Sequence, residues 1–137
     1  MSLREITEGL PEELTSQLRL DEKVYYFSYI SFKGGCLSSK SRQEYWISVT
    51  NKRVIYKTRI KEDNKFIEKD GILPFEEISF IEVTEFEEKS GCSSAKAFQL
   101  RISTSGGTAI IPIPTKEKGY EIRKVYSDII EMLEKKK

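Results

Sequence analysis

Seven short stretches with the pattern of β-strands, followed by one amphipathic helix, constrain the fold of this chain most strongly. In 97–104 the apolar residues alternate with polar ones, so that Phe98, Leu100 and Ile102 share one face. Comparable stretches, rich in β-branched and aromatic residues and separated by polar turns, predict strands at 24–32, 44–50, 53–60, 66–75, 78–87, 97–104 and 108–113. We expect the fourth strand to be interrupted at Asp70-Gly71 and at Pro74. Seven short strands joined by turns favour an antiparallel sandwich or barrel.

Two helices are predicted at the ends of the chain. The segment of about 116–136 carries apolar side chains at helical spacing on one face: Ile122, Val125, Tyr126, Ile129 and Leu133. This face must be buried, and the open end of a barrel is a suitable place. A short helix is predicted over 10–18, because Pro11 suits a first helical position and Leu10, Leu14 and Leu18 share a face.

The length of 137 residues suits one domain. We expect an N-terminal extension over 1–20, a barrel over 21–115 and a capping helix over 116–137. No apolar run approaches the roughly 18–20 residues that span a bilayer, and no signal-peptide pattern is recognisable. We therefore expect a cytoplasmic protein.

The absence of histidine most limits the possible chemistry. It removes the usual general base, the Ser-His and Cys-His nucleophile pairs and the commonest metal ligand. No nucleotide-binding glycine motif occurs, and two cysteines cannot form a four-cysteine zinc site. We expect no enzymatic activity and no cofactor. The formal net charge of +1 also argues against electrostatic capture of nucleic acid.

Three segments in this order resemble the bacterial pleckstrin-homology (PH)-like domains and, more loosely, GRAM domains and the wider PH superfold. Residues 46–56 (WISVTNKRVIY) look like the second hairpin of the family with its Thr-Asn-x-Arg turn. Residues 72–81 (ILPFEEISFI) look like the proline bend between strands four and five, and 122–133 look like the closing helix. The resemblance covers roughly 20–135. It implies a seven-stranded antiparallel barrel or sandwich capped by a helix, with a binding or scaffolding role and no catalytic residues.

A basic loop end is the first candidate site that this resemblance implies. In the PH fold the loops after strands one, three and six share one end of the barrel, and here these are 33–43, 61–65 and 105–107. Their basic residues, with those approaching on strand three, are suited to hold a phosphorylated or lipid headgroup: Lys33, Lys40, Arg42, Lys57, Arg59, Lys61 and Lys65. The alternative is that these are solvated loop charges, since Glu62 and Asp63 lie among them.

An aromatic patch is the second candidate site. The first strand is apolar on both faces, with Val24 and Tyr26 assigned to the inner one. Its outer face and the neighbouring second strand would then present four aromatic side chains: Tyr25, Phe27, Tyr29 and Trp46. Such patches mark protein interfaces, and we expect a protein partner or a homo-oligomer if this one is open. The alternative is that the 10–18 helix folds back and covers it.

Overall fold

Seven strands and two helices make up the part of the chain that the structure, a computed structural model, describes: residues 3–33, 42–62, 65–90 and 93–135. At 32–33, 42–43, 61–62, 88–90 and 93–95 the backbone alone is described. The elements are helix α1 (Glu12–Thr15), strands β1 (Val24–Lys33), β2 (Arg42–Thr50), β3 (Arg53–Glu62), β4 (Lys65–Pro74), β5 (Ile78–Ser90), β6 (Ser93–Thr104) and β7 (Gly107–Ile113), and helix α2 (Lys116–Lys135). A 3-10 turn, Phe75–Glu77, joins β4 to β5.

The strands form two antiparallel sheets. One has the order β1-β2-β3-β4 and the other β5-β6-β7. The predicted mainly β fold with a C-terminal helix and a short N-terminal helix is therefore confirmed. β7 is an edge strand, which suits Pro112, because a proline has no N–H to donate to a further strand.

β4 differs from the prediction because it runs unbroken through the Asp70-Gly71 step. Asp70 pairs with Lys57 and Gly71 pairs with Tyr56, so both residues stay in the ladder. The Tyr56 ring packs directly over Gly71, where an added Cβ would lie 2.7 Å from the Tyr56 hydroxyl oxygen. Glycine is retained here for the close approach of an aromatic ring, and the strand does not break.

The hairpin of β5 and β6 is longer than predicted. The sequence indicated strands over 78–87 and 97–104, whereas the ladder extends to the pair Ser90 and Ser93. The additional residues are charged or small and lack the alternation that identifies a half-buried strand. Backbone pairing therefore continues beyond the apolar core.

The main core lies between the two sheets and α2. The fully or almost fully buried side chains come from all three layers: Tyr26, Tyr45, Ile47, Val49, Val54, Leu73, Leu100, Ile102, Ile111, Ile113, Ile122, Val125 and Ile129. Gly119 lets α2 approach the sheet closely, since an added Cβ would lie 2.8 Å from side-chain atoms of both Val83 and Ile113. The predicted apolar face of the last helix is thus the face that closes the core.

A second, smaller cluster lies on the outer face of the four-stranded sheet, under the N-terminal segment. It contains Leu14, Val24, Trp46 and Ile55, and partly buried side chains pack around it: Ile6, Leu10, Leu18 and Phe27. α1 is shorter than the predicted 10–18, because Pro11 is extended (ψ 150°) and only caps the helix. The leucines at both ends nevertheless pack against this cluster from outside the helix.

Candidate functional site

The N-terminal segment covers Trp46 and part of Phe27 in the predicted aromatic patch. Trp46 is 6% exposed beneath the fully buried Leu14, and the ring centroids of Phe27 and Trp46 are 6.1 Å apart. Phe27 is half-buried, whereas Tyr29 is 58% exposed. Of the two arrangements that the sequence left open, the structure has the one in which the N-terminal helix folds back over the strands.

The fourth member of the predicted patch, Tyr25, lies on the other side of the sheet. The register between β1 and β2 shifts between Val24 and Tyr26, which marks a β-bulge. Val24 consequently joins the outer cluster, and Tyr25 packs against the main core. The sequence predicted Val24 on the inner face and Tyr25 on the outer face, because side chains alternate along a regular strand. The bulge inserts an extra residue, which exchanges the faces of these two side chains.

Two of the predicted anion-binding residues lie on the same outer face, where carboxylates neutralise them. Lys57 forms an ion pair with Glu13 and lies 3.7 Å from a carboxylate oxygen of Glu68. The hydrogen bond to Glu13 raises the pKa of Lys57. Arg59 Nε lies 2.9 Å from Glu68 Oε1, and its Nη1 lies 3.5 Å from Glu44 Oε1. The described surroundings of these two cations thus already supply their counter-charges.

Three of the remaining predicted anion-binding residues lie side by side in the backbone ladders, because Lys33 pairs with Arg42 and Arg42 pairs with Lys61. Lys65 is exposed on β4. Lys40 lies outside the described residues, as do the side chains of Lys33, Arg42 and Lys61.

A small cavity of about 100 Å³ lies beside these ion pairs. Tyr29 donates a hydrogen bond of 2.8 Å to Glu44 Oε2 at its wall. Two carboxylates, two cations and three aromatic side chains line it: Glu13, Tyr29, Glu44, Tyr45, Trp46, Lys57 and Arg59. The cavity is well below the roughly 300 Å³ at which ligand pockets begin, so it is best described as space within an ion-pair network.

A buried ion pair that the sequence did not predict fixes the N-terminal segment to the turn between β2 and β3. Arg53 donates from Nε and Nη2 to the two carboxylate oxygens of Glu22, each at 2.9 Å, and from Nη2 to the Gln17 carbonyl at 2.7 Å. Thr50 Oγ1 donates to the same carboxylate at 2.6 Å. Arg53 and Glu22 are both 7% exposed. The Thr-Asn-x-Arg turn was the visible signal, but nothing in the sequence identified Glu22 as its partner.

A groove of about 550 Å³ lies next to this pair, between the β2–β3 turn, the end of β4 and the last turns of α2. Apolar and charged residues line it together: Arg19, Asn51, Lys52, Arg53, Ile72, Pro74, Phe75, Glu76, Ile130, Leu133 and Glu134. The volume is suitable for a small ligand. The rim charges are of both signs, so the groove indicates no particular ligand charge.

One exposed apolar surface belongs to the three-stranded sheet. Phe80 is 55% exposed, Phe86 38% and Ile110 46%, and alternation places all three on the face away from the main core. Among the described residues β5 pairs with β6 and with no other strand. We call the unpaired side of β5, together with Phe80 and Phe86, the β5 edge.

Comparison with known proteins identifies a family. A family model described as a bacterial PH domain matches residues 18–127. No curated protein and no solved structure matches the chain. In the described ranges, no helix is both long and apolar enough to cross a bilayer.

Proposed function

This chain belongs to the bacterial PH domain family, and from that premise we propose that it is a non-catalytic module that makes protein–protein contacts through the β5 edge. The family supports a binding or scaffolding role in general. The observation that carries the proposal is the pair of exposed aromatic residues, Phe80 and Phe86, on a strand with one unpaired side. Aromatic side chains are enriched at protein interfaces.

A comparison of the two sheets favours the β5 edge as the interface. On the four-stranded sheet, the N-terminal segment already covers Trp46 and Phe27. A partner that contacts Trp46 would have to displace the fully buried Leu14. On the three-stranded sheet, Phe80 and Ile110 remain in contact with solvent, and burying them needs no rearrangement.

Binding of an anionic headgroup stays a prediction, and what supports it is the backbone pairing of Lys33, Arg42 and Lys61 on neighbouring strands. The two described candidates on β3, Lys57 and Arg59, face carboxylates within 4 Å. An incoming phosphate would compete with those carboxylates for the same cations.

Site-specific photo-cross-linking tests the proposed function. Benzoylphenylalanine in place of Phe80 or Phe86, in cells that make the full chain, should give discrete protein adducts on illumination. Tyr120 is the matched control, because it is an aromatic residue of similar exposure (46%) on α2. Adducts at 80 and 86 that are absent at 120 support the proposal. Equal adducts at all three positions, or none, contradict it.

A further inference from the structure

The β5 edge is long enough to accept an added strand. β5 extends over thirteen residues, and its ladder with β6 runs from Ile78 paired with Thr104 to Ser90 paired with Ser93. No other strand in the described ranges pairs with it. Such an edge presents unpaired N–H and C=O groups that an extended segment can pair with.

The register of β5 leaves its two phenylalanines available to an added strand. Phe80 pairs with Ser103 and Phe86 pairs with Ala97 on β6. Because these neighbours are small, the rings are not covered from the β6 side and remain 55% and 38% exposed. An apolar side chain on an added strand would complete the cross-strand contact that β6 does not provide.

The charge of the strand then selects the partner. β5 contains four glutamates and one lysine, and the described side chains of Glu82, Glu85 and Glu87 are all exposed. Glu82 shares the outer face with the phenylalanines, whereas Glu85 and Glu87 lie on the opposite face. The nearest described ion pair is a long contact of 4.0 Å between Lys96 Nζ and Glu85. In the ladder, Arg101 of β6 pairs with Glu82, whereas Lys96 is the one described β6 cation beside Glu85 and Glu87, so the excess of negative charge lies on the face of these two glutamates.

This charge disfavours a second copy of the chain as the occupant. Pairing β5 with β5 of another copy would bring two acidic strands within the roughly 5 Å spacing of a sheet. Like charges on neighbouring strands are destabilising, and charged edges are a common means by which proteins avoid self-pairing. The same glutamates attract lysine and arginine.

From this combination we infer that the β5 edge binds an extended basic segment of another protein, added to the three-stranded sheet as a fourth strand. Its apolar side chains contact Phe80 and Phe86, and its lysine or arginine side chains lie opposite Glu85 and Glu87. The inference rests on the proposed function, because it names the partner class for the same surface.

A model peptide provides the probe. We use a fluorescent eight-residue peptide that alternates lysine and valine, which presents valines to one face of the sheet and lysines to the other. A matched peptide of the same sequence, N-methylated at alternate residues, has the same charges but cannot form the backbone ladder. A third peptide alternates glutamate and valine. Binding to the full chain is measured by fluorescence anisotropy, and protection of β5 amides by hydrogen exchange.

The expected result has three parts. The lysine peptide binds and protects β5 amides, whereas the N-methylated and glutamate peptides do not. The double variant Glu85→Lys/Glu87→Lys weakens binding by about tenfold or more. The control double variant Glu131→Lys/Glu134→Lys on α2 leaves it unchanged. Added salt weakens binding, since the attraction is screened.

Several results overturn the inference. They are equal binding of the N-methylated peptide, equal loss in both double variants, or no protection of β5 amides. Sedimentation of the peptide-free chain gives a further test, because a dimer that Phe80→Glu dissociates would make a second copy the occupant. If adducts form at positions 80 and 86 in cells but the lysine peptide does not bind, the proposed function stands and the basic partner is excluded.

Discussion

Replacing Glu22 by glutamine should strongly destabilise the protein. The Glu22 carboxylate accepts hydrogen bonds from Arg53 Nε and Nη2 at 2.9 Å, from Thr50 Oγ1 at 2.6 Å and from the Arg19 backbone N–H at 3.0 Å. Glutamine keeps the size of the side chain but has only one acceptor oxygen. Its NH2 group, itself a donor, would therefore face one of the groups that donate to the carboxylate. The Arg53 guanidinium, 7% exposed, is then left without its counter-charge. Breaking a buried pair in this way costs about 3–5 kcal/mol, a large part of the roughly 5–15 kcal/mol that stabilises a domain.

The effect of Glu22 should depend on pH in a defined direction. Burial acts to raise the pKa of Glu22, but the hydrogen bonds from Arg53, Thr50 and the Arg19 backbone outweigh it, so the pKa lies below the ordinary 4.5. A carboxyl group with a lowered folded pKa contributes stability that is fully present above its unfolded pKa. That stability is lost as the pH falls through the folded value. The difference between the wild type and Glu22→Gln should therefore be largest near neutral pH and shrink below about pH 4.5.

Urea denaturation followed by the fluorescence of the single tryptophan, Trp46, measures both effects. Asp21→Asn is the matched control, because Asp21 makes an exposed ion pair of 3.3 Å with Lys52 and its side chain is 78% exposed. Such a pair contributes at most about 1 kcal/mol. If Glu22→Gln costs no more than Asp21→Asn, or if its cost does not change between pH 7 and pH 3, the buried pair does not have the role assigned to it.

Two further predictions concern packing. Leu14→Ala should lower the free energy of unfolding by about 2–5 kcal/mol and shift the fluorescence emission of Trp46 to the red, because Leu14 is fully buried in the same cluster. The control Leu20→Ala, at a fully exposed position, should change neither the stability nor the emission. An unshifted emission spectrum of Leu14→Ala would mean that the N-terminal segment does not cover the indole. Gly119→Ala should lower the thermal midpoint of unfolding, since its Cβ would lie 2.8 Å from side chains of β5 and β7. Overpacking costs about 1–3 kcal/mol, which exceeds the roughly 1 kcal/mol by which alanine is favoured over glycine in a helix. Gly106→Ala, whose nearest neighbouring atom is at 3.9 Å, is its control, and an equal or smaller loss for Gly119→Ala would contradict the close approach.

The elements that sequence reasoning predicted correctly are those in which local pattern and burial agree. In β6 and in α2 the apolar positions of the sequence pattern are the positions that face the core, so the period alone identified the two elements. The order of these elements, with the Thr-Asn-x-Arg turn and the proline bend, supported the PH resemblance, and the family match over 18–127 confirms it. Secondary structure was predicted best where the polarity of each residue matches its burial in the fold.

The features that were missed depend on partners distant in the chain. The bulge between Val24 and Tyr26 reverses the faces of two residues, and only the register with β2 reveals it. The pair of Glu22 and Arg53 joins residues 31 positions apart, and both look like ordinary surface charges in the sequence. The predicted anion site was assembled from like charges along the chain, whereas Arg59 in the folded protein faces the carboxylates of neighbouring strands.

The N-terminal segment explains why the two sheets offer such different surfaces. Most of this segment precedes the part of the chain that matches the family, yet it supplies the fully buried Leu14 to the outer face of the four-stranded sheet. Glu22, next to β1, fixes it there by the bond to Arg53. Trp46 and Phe27 on that face therefore stabilise the protein's own fold, and Trp46 is withdrawn from partners. The three-stranded sheet has no such cover in the described ranges, and its exposed β5 edge is where a second protein can gain contacts without first paying to unfold part of this one.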